Sequence, residues 1–294
     1  MHRNFTVLDF LVAQTLNGLV YSMLLFLLAL GLSLTFGMLR VINLAHGAFY
    51  LMGAYFGLTA WNLTHSFWVA ILVATAGAAI VGMLLERSWL QRFYVRNELD
   101  QVILTFGFAL VFADIMKMLW GKDIQSIPVP LLLSGAVQIA GTYFPAYRLI
   151  LVGVGVALFV ATWLAIERTR TGALIRASVA DRVMVSGLGF DIRLLFTYVF
   201  GFGTAIAGLA GVLGAPITGI YPGLDFEVLI TTLIVVVVGG LGNISGAFWA
   251  ALLIGLAETY GKALYPAAAS FIIFGLMAAV LLIRAWRRDE EDVE

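Results

Sequence analysis

Nine long apolar stretches separated by short polar ones set the plan of this 294-residue chain. They lie at residues 10–38, 41–61, 67–85, 102–120, 149–166, 194–215, 228–238, 244–260 and 267–283. The runs are unbroken, whereas membrane-barrel strands alternate at every second residue. Most approach the length of about 20 residues that a helix needs to cross a hydrocarbon core of about 30 Å. Lipid offers the backbone no hydrogen-bond partner, so such runs satisfy their own peptide groups as helices. The pattern predicts an all-α, polytopic transmembrane helical bundle. The first stretch is long and the seventh short, which brackets the count at about eight to ten spans with broken or re-entrant segments. No soluble domain fits between them, so residues 1–294 form a single transmembrane domain.

The longest polar interruption is residues 167–193, ERTRTGALIRASVADRVMVSGLGFDIR, with Arg168, Arg170, Arg176, Arg182 and Arg193. Its length suits one or two short helices outside the membrane. A second interruption, residues 122–148, is mostly apolar and holds Pro128, Pro130 and Pro145. Two further places read as broken helices. In 36–57, Arg40, Asn43, His46 and Gly47 interrupt a glycine-rich apolar run; in 238–246, Gly239, Gly240, Gly242, Asn243 and Ser245 do the same. Glycine at this density favours turns and close backbone approach. Non-helical backbone at membrane depth is tolerated only where protein or a water-filled cavity covers it. The two places also look alike, His46-Gly47-Ala48-Phe49-Tyr50 against Ser245-Gly246-Ala247-Phe248-Trp249. Paired glycine-interrupted segments point to the solute path of a transporter. His46, Asn43 and Asn243 either contact solute there or cap and bridge the breaks. The small residues of 203–214 serve close helix packing.

Composition agrees: 62% of residues are hydrophobic and 12% charged, against about a quarter charged in soluble domains, and the mean hydropathy is +1.01. Charge fixes the sidedness. Arg40, Arg87, Arg92, Arg96, the five arginines of 167–193 and Arg284, Arg287 and Arg288 fall on one face when nine spans alternate, leaving Arg3, Lys117, Lys122, Arg148 and Lys262 elsewhere. The positive-inside rule makes that face cytoplasmic, with the tail 284–294 inside and the N-terminus outside. The start of the chain lacks the basic segment and cleavage site of a signal peptide, so the first helix is expected to be retained. Absent cysteine excludes disulfides and thiolate metal sites. No Walker A, H-E-x-x-H or G-x-S-x-G pattern occurs, and His2, His46 and His65 are scattered. No catalysis, metal, cofactor or nucleic-acid partner is expected. Of the ionisable groups in apolar runs, Asp114 and Lys117 share a helical face and can neutralise each other, and Glu258 lies near a segment end.

With these residues in view, the chain resembles the permease subunit of bacterial branched-chain amino acid ABC importers, specifically the shorter of the two paired permeases. The resemblance runs along nearly the whole chain and is densest at 31–57, 169–189, 205–214 and 236–255. Its most specific string is Asn43-Leu44-Ala45-His46-Gly47 with Arg40 upstream. It implies a permease domain in a bacterial inner membrane, a second homologous permease in a heterodimer, two cytoplasmic ATPase subunits that hydrolyse ATP, and an extracytoplasmic solute-binding protein. ATP-driven alternating access would pass an amino acid along a path lined by Asn43, His46, Gly47, Gly239, Gly240, Gly242, Asn243 and Ser245. The 167–193 loop becomes the coupling element: Thr171 as N-cap with Gly172, then Arg176, Asp181 and Arg182 toward the ATPase, and Gly187 and Gly189 closing the turn. Relatives carrying urea, short amides or aromatic acids are an alternative. A stand-alone ion-coupled carrier is one of another class, opposed by the scarcity of membrane carboxylates.

Overall fold

A computed structural model describes residues 7–39, 41–94, 96–139 and 141–291, the side chains of 268–270 and 284–291 excepted. His2, Arg3, Arg40 and the side chains of the basic tail therefore lie outside the described residues. Each of the nine apolar stretches is a helix: α1 (Val7–Leu39), α2 (His46–Thr64), α3 (Phe67–Leu85), α4 (Glu98–Trp120), α5 (Ala146–Arg168), α8 (Ile192–Thr218), α9 (Leu224–Gly239), α10 (Ile244–Leu264) and α11 (Ala269–Glu291). Two short helices, α6 (Arg170–Ala180) and α7 (Arg182–Gly187), fill the polar loop between α5 and α8. Among the described residues, six helices are long and apolar enough to cross a membrane: α1, α3 with its extension to Phe93, α4, α5, α8 and α10. The others fall short for legible reasons. The apolar run of α2 is diluted by His46, Asn62 and glycines, α9 has only 16 residues, and the described apolar part of α11 is Phe271–Ile283.

α1 is the axis of the bundle. Its 18-residue apolar window is 83% buried, against 22% for α4 and 17% for α5, which puts α4 and α5 at the rim facing lipid. A helix apolar on all sides must be enclosed, and small residues let the neighbours close in. Gly31 meets Gly203 of α8, Gly37 meets Gly242, and Gly255 of α10 meets Ser22. α2 packs on α8 the same way, Gly53 against Gly208 and Gly211 against the Tyr50 carbonyl. The run 203–214 is thus a packing surface, as its spacing predicts.

The 122–148 interruption carries structure the hydrophobic pattern did not announce. A two-stranded antiparallel ribbon, β1 (Ala136–Ile139) and β2 (Thr142–Pro145), pairs Ala136 with Pro145 and Ile139 with Thr142. Gln125 bridges to Ile220, tying this connection to the one that follows α8. The opposite end of the bundle gathers the end of α1, the 86–98 turn and the α6–α7 loop.

Candidate translocation path and coupling loop

The first break is a real interruption at depth. Nε2 of His46, the first residue of α2, lies 3.1 Å from the Leu28 carbonyl. At 1.5 Å per residue, Leu28 stands roughly 16 Å along α1 from Leu39, so α2 begins well inside the bundle. Residues 41–45 are the non-helical backbone that connects them, and protein covers it: Val41, Asn43 and Ala45 are buried. Thr105 of α4 donates to the Ile42 carbonyl and accepts from the Leu44 amide, both at 3.2 Å. Asn43 Oδ1 accepts the Ala45 amide at 3.0 Å. Because a carbonyl only accepts, His46 carries its proton on Nε2 and presents Nδ1 as an acceptor. Among the described residues, His46 Nδ1 and Asn43 Nδ2 have no hydrogen-bond partner. Both residues bridge the break, and each keeps one polar atom unused.

The second break sits nearer the inner end. Gly240 and Gly242 have φ of +94° and +79°, the left-handed region that glycine enters without strain. Asn243 caps α10, its Oδ1 accepting the Gly246 amide at 2.9 Å; Ser245 follows, half-buried, in the first turn. Gly242 lies against Gly37, roughly 13 Å along α1 from Leu28. The two sets of predicted path residues therefore occupy different depths on one helix. α9 joins them. Gly47 abuts the Asp225 carbonyl in its first turn, and Gly246 abuts the carbonyl of Gly239, its last residue. The matching glycines of the two look-alike segments thus hold opposite ends of the same short helix.

Asp225 escaped the sequence reading because it lies in the polar connection before the seventh apolar stretch. It is 2% exposed, and its Oδ1 has no partner among the described residues. Gly223, with φ of +101°, followed by an acid in the first turn was the available signal. Asp114 and Lys117 form the expected pair at 3.1 Å. Glu258, placed near a segment end by the sequence, pairs with Lys262 at 2.6 Å.

The polar loop folds through local caps. Thr169, not Thr171, is the N-cap of α6: it is extended, and its Oγ1 accepts the Gly172 amide at 3.0 Å. Only Thr169 separates the end of α5 from the start of α6, which leaves Thr171 inside the first turn. Gly172 is buried there because a Cβ would overlap the Ile166 carbonyl. Asp181 caps α7 through the Met184 amide at 2.9 Å, and Asp191 caps α8 through Leu194 at 3.1 Å. Gly187 ends α7, and Gly189, with φ of +87°, makes the turn.

Two of the loop arginines, Arg176 and Arg182, reach back to their own bundle. Arg176 donates to the Ile166 carbonyl and pairs with Glu167 at 3.7 Å. Arg182 donates to the carbonyls of Met38 and Leu39 at 3.1 and 3.2 Å. Its guanidinium stacks 4.9 Å from the Phe196 ring centroid. A cation on the last carbonyls of a helix is favoured by the dipole, so α7 is fastened to the end of α1, just before the first break. Four apolar side chains stand outward beside exposed polar ones such as Asp181, Ser186 and Arg193: Val183 is 83% and Leu188 71% exposed, with Met184 and Phe190 beside them. Under the loop, a π-turn (Glu86–Leu90) prolongs α3 and buries Glu86, which accepts from Tyr94, Thr197 and Gln91 at 2.6, 2.7 and 3.1 Å. Burial, then the Glu86 carboxylate, pushes the Tyr94 phenol pKa up. That network joins α3 to α8 beside a cleft of about 380 Å³ between Arg182 and Glu98.

Comparison with known proteins places this architecture. The chain is 29% identical to the high-affinity branched-chain amino acid transport system permease protein BraD of Pseudomonas aeruginosa, over 92% of this chain and 93% of that protein. It is 25% identical to LivH of Escherichia coli K12, a permease protein of the same description, over 93% and 94% of the two chains. It is 28% identical to LivM of that organism, over 83% of this chain and 63% of LivM. A family model for the permease component of branched-chain amino acid transport systems matches residues 14–281. That match takes in α1 through most of α11, both breaks and the capped loop, and the chain belongs to this family of membrane permeases.

Proposed function

We propose that this chain is the shorter permease subunit of an ATP-driven importer of branched-chain amino acids in a bacterial inner membrane. Its partners are a second, homologous permease, two cytoplasmic ATPase subunits and an extracytoplasmic solute-binding protein. The observation that carries this reading is the loop surface. An apolar knob of Val183, Met184, Leu188 and Phe190 stands exposed on the face where the basic residues gather, and an exposed apolar patch marks a contact site. Its inner side is fastened to α1 through Arg182. ATPase closure would push the knob, and Arg182 would pass the displacement to the end of α1 and the Asn43–His46 break. The loop then transmits a rigid-body motion, while the catalysis belongs to the ATPases. Asn43, His46, Gly47, Gly239, Gly240, Gly242, Asn243 and Ser245 would rearrange to open the path, with the unused atoms of Asn43, His46 and Asp225 meeting solute or its water.

Proteoliposomes holding all subunits test this. Uptake of labelled leucine should require ATP, the ATPase subunits and the binding protein together. Uphill uptake by this chain alone under an ion gradient would overturn the proposal.

A further inference from the structure

The outer end of the bundle holds a second constellation. α1, α5, α8 and α10 enclose a cavity of about 420 Å³, within the size range of small-molecule sites. Its walls divide by chemistry: Val20, Leu24 and Ile217 form an apolar side, and Arg148, Lys262 and Glu258 bring two cations and one carboxylate to the same space.

Glu258 is ion-paired through one oxygen only, and Arg148 has no ion pair among the described residues. Glu258 is 5% exposed. Lys262 Nζ donates to its Oε1 at 2.6 Å, while Oε2 has no hydrogen-bond partner among the described residues. The Tyr21 hydroxyl interacts with the same carboxylate. A buried carboxylate oxygen without a donor is costly unless something supplies one. Arg148 spends one donor on Asn17 Oδ1 at 2.5 Å, lies 6.0 Å from the Phe144 ring centroid and forms no ion pair among the described residues. A guanidinium offers five N–H donors in a fork that suits a carboxylate.

We propose that this cavity is an outer binding site for a zwitterionic aliphatic amino acid. Its carboxylate lies on Arg148, its ammonium on Glu258 Oε2, and its side chain against Val20, Leu24 and Ile217. The proposal rests on reading the chain as an amino-acid permease and adds where the solute is first held. A plain anion would leave Oε2 without a donor, and a plain cation would leave Arg148 without a carboxylate. The site lies at the end of the bundle opposite the coupling loop, so a solute from outside meets it before the closed packing around His46.

The test is equilibrium binding of labelled L-leucine to the complete permease–ATPase complex in lipid nanodiscs, without the binding protein. Saturable binding is expected. Leucinamide, which lacks the carboxylate, and 4-methylpentanoate, which lacks the ammonium, should each compete about tenfold less well or worse than leucine, one lost charge contact being worth at least that factor. Arg148→Gln and Glu258→Gln should each weaken leucine by a similar factor. The analogue series uses the unaltered complex, so it decides the matter even if the variants fail to assemble. No saturable binding, or competition by either analogue equal to leucine, overturns the site; so do assembled variants that bind like the parent. Uptake with binding protein and ATP is measured in parallel. A parent complex that imports leucine but does not bind it in this assay overturns the site alone, whereas one that imports no leucine overturns the permease reading.

Discussion

Glycine does different work at different positions of this chain. Gly47 and Gly246 are wedged against the carbonyls of Asp225 and Gly239, so valine at either has no room and must push α9 away. Overpacking of this kind costs about 1–3 kcal/mol, and thermal unfolding in detergent should show both variants destabilised. Gly107 and Gly153 have nothing near a would-be Cβ. Alanine there should be neutral or stabilising by up to about 1 kcal/mol from helix propensity. Unfolding temperatures that failed to separate the two pairs would remove the clamp on α9. His46→Phe removes the second hydrogen bond on the Leu28 carbonyl, whose partner within α1 remains, so the expected loss is about 0.5–1.5 kcal/mol for one net hydrogen bond, readable in the same melt.

At the scale of elements, the loop is organised by its caps. Thr169→Ala should cost about 1 kcal/mol, the usual value of an N-cap, and Thr171→Ala almost nothing; increased backbone exchange across α6 in the first variant alone is the expected sign. Arg182→Glu places a carboxylate against the carbonyls of Met38 and Leu39 at the end of α1, where the dipole disfavours it. ATP-driven uptake should fall severely, with binding-protein affinity for solute unchanged; normal uptake would exclude Arg182 as the link between loop and bundle. These elements show where sequence reading succeeds. The breaks at 41–45 and 240–243 were legible because polar residues and glycine interrupt apolar runs, a signal that is local in the chain. The direction of Arg182 was not, since its partners at Met38 and Leu39 lie far away in sequence. Thr169 and Thr171 are equally good caps by type, and only the point where α5 ends chooses between them. The β1–β2 ribbon was hidden because four-residue strands leave too short a pattern to read.

For the whole molecule, the hydrophobic pattern and the basic residues make one coherent statement about sidedness. The 86–98 turn, the end of α1 and the α6–α7 loop converge at one end through Arg182, Tyr94 and Glu86. The Gln125–Ile220 bridge, the ribbon and the Arg148–Glu258 cavity gather at the other. An odd number of crossings must separate these ends, whatever the exact span count, so a single pair of labels decides the orientation. The chain has no cysteine, which makes introduced thiols unique. Ser126 and Ser186 are both exposed, one near each end, and Ser→Cys changes little in size. A membrane-impermeant maleimide should label Ser126→Cys in intact cells with a permeabilised outer envelope, and Ser186→Cys only in inside-out vesicles. The reverse pattern would turn the proposed coupling loop away from the cytoplasm and the charged cavity toward it. Labelling of both from one side would mean that the crossings between α4 and α6 are miscounted. Only the first pattern lets solute arrive at one end of α1 while force arrives at the other.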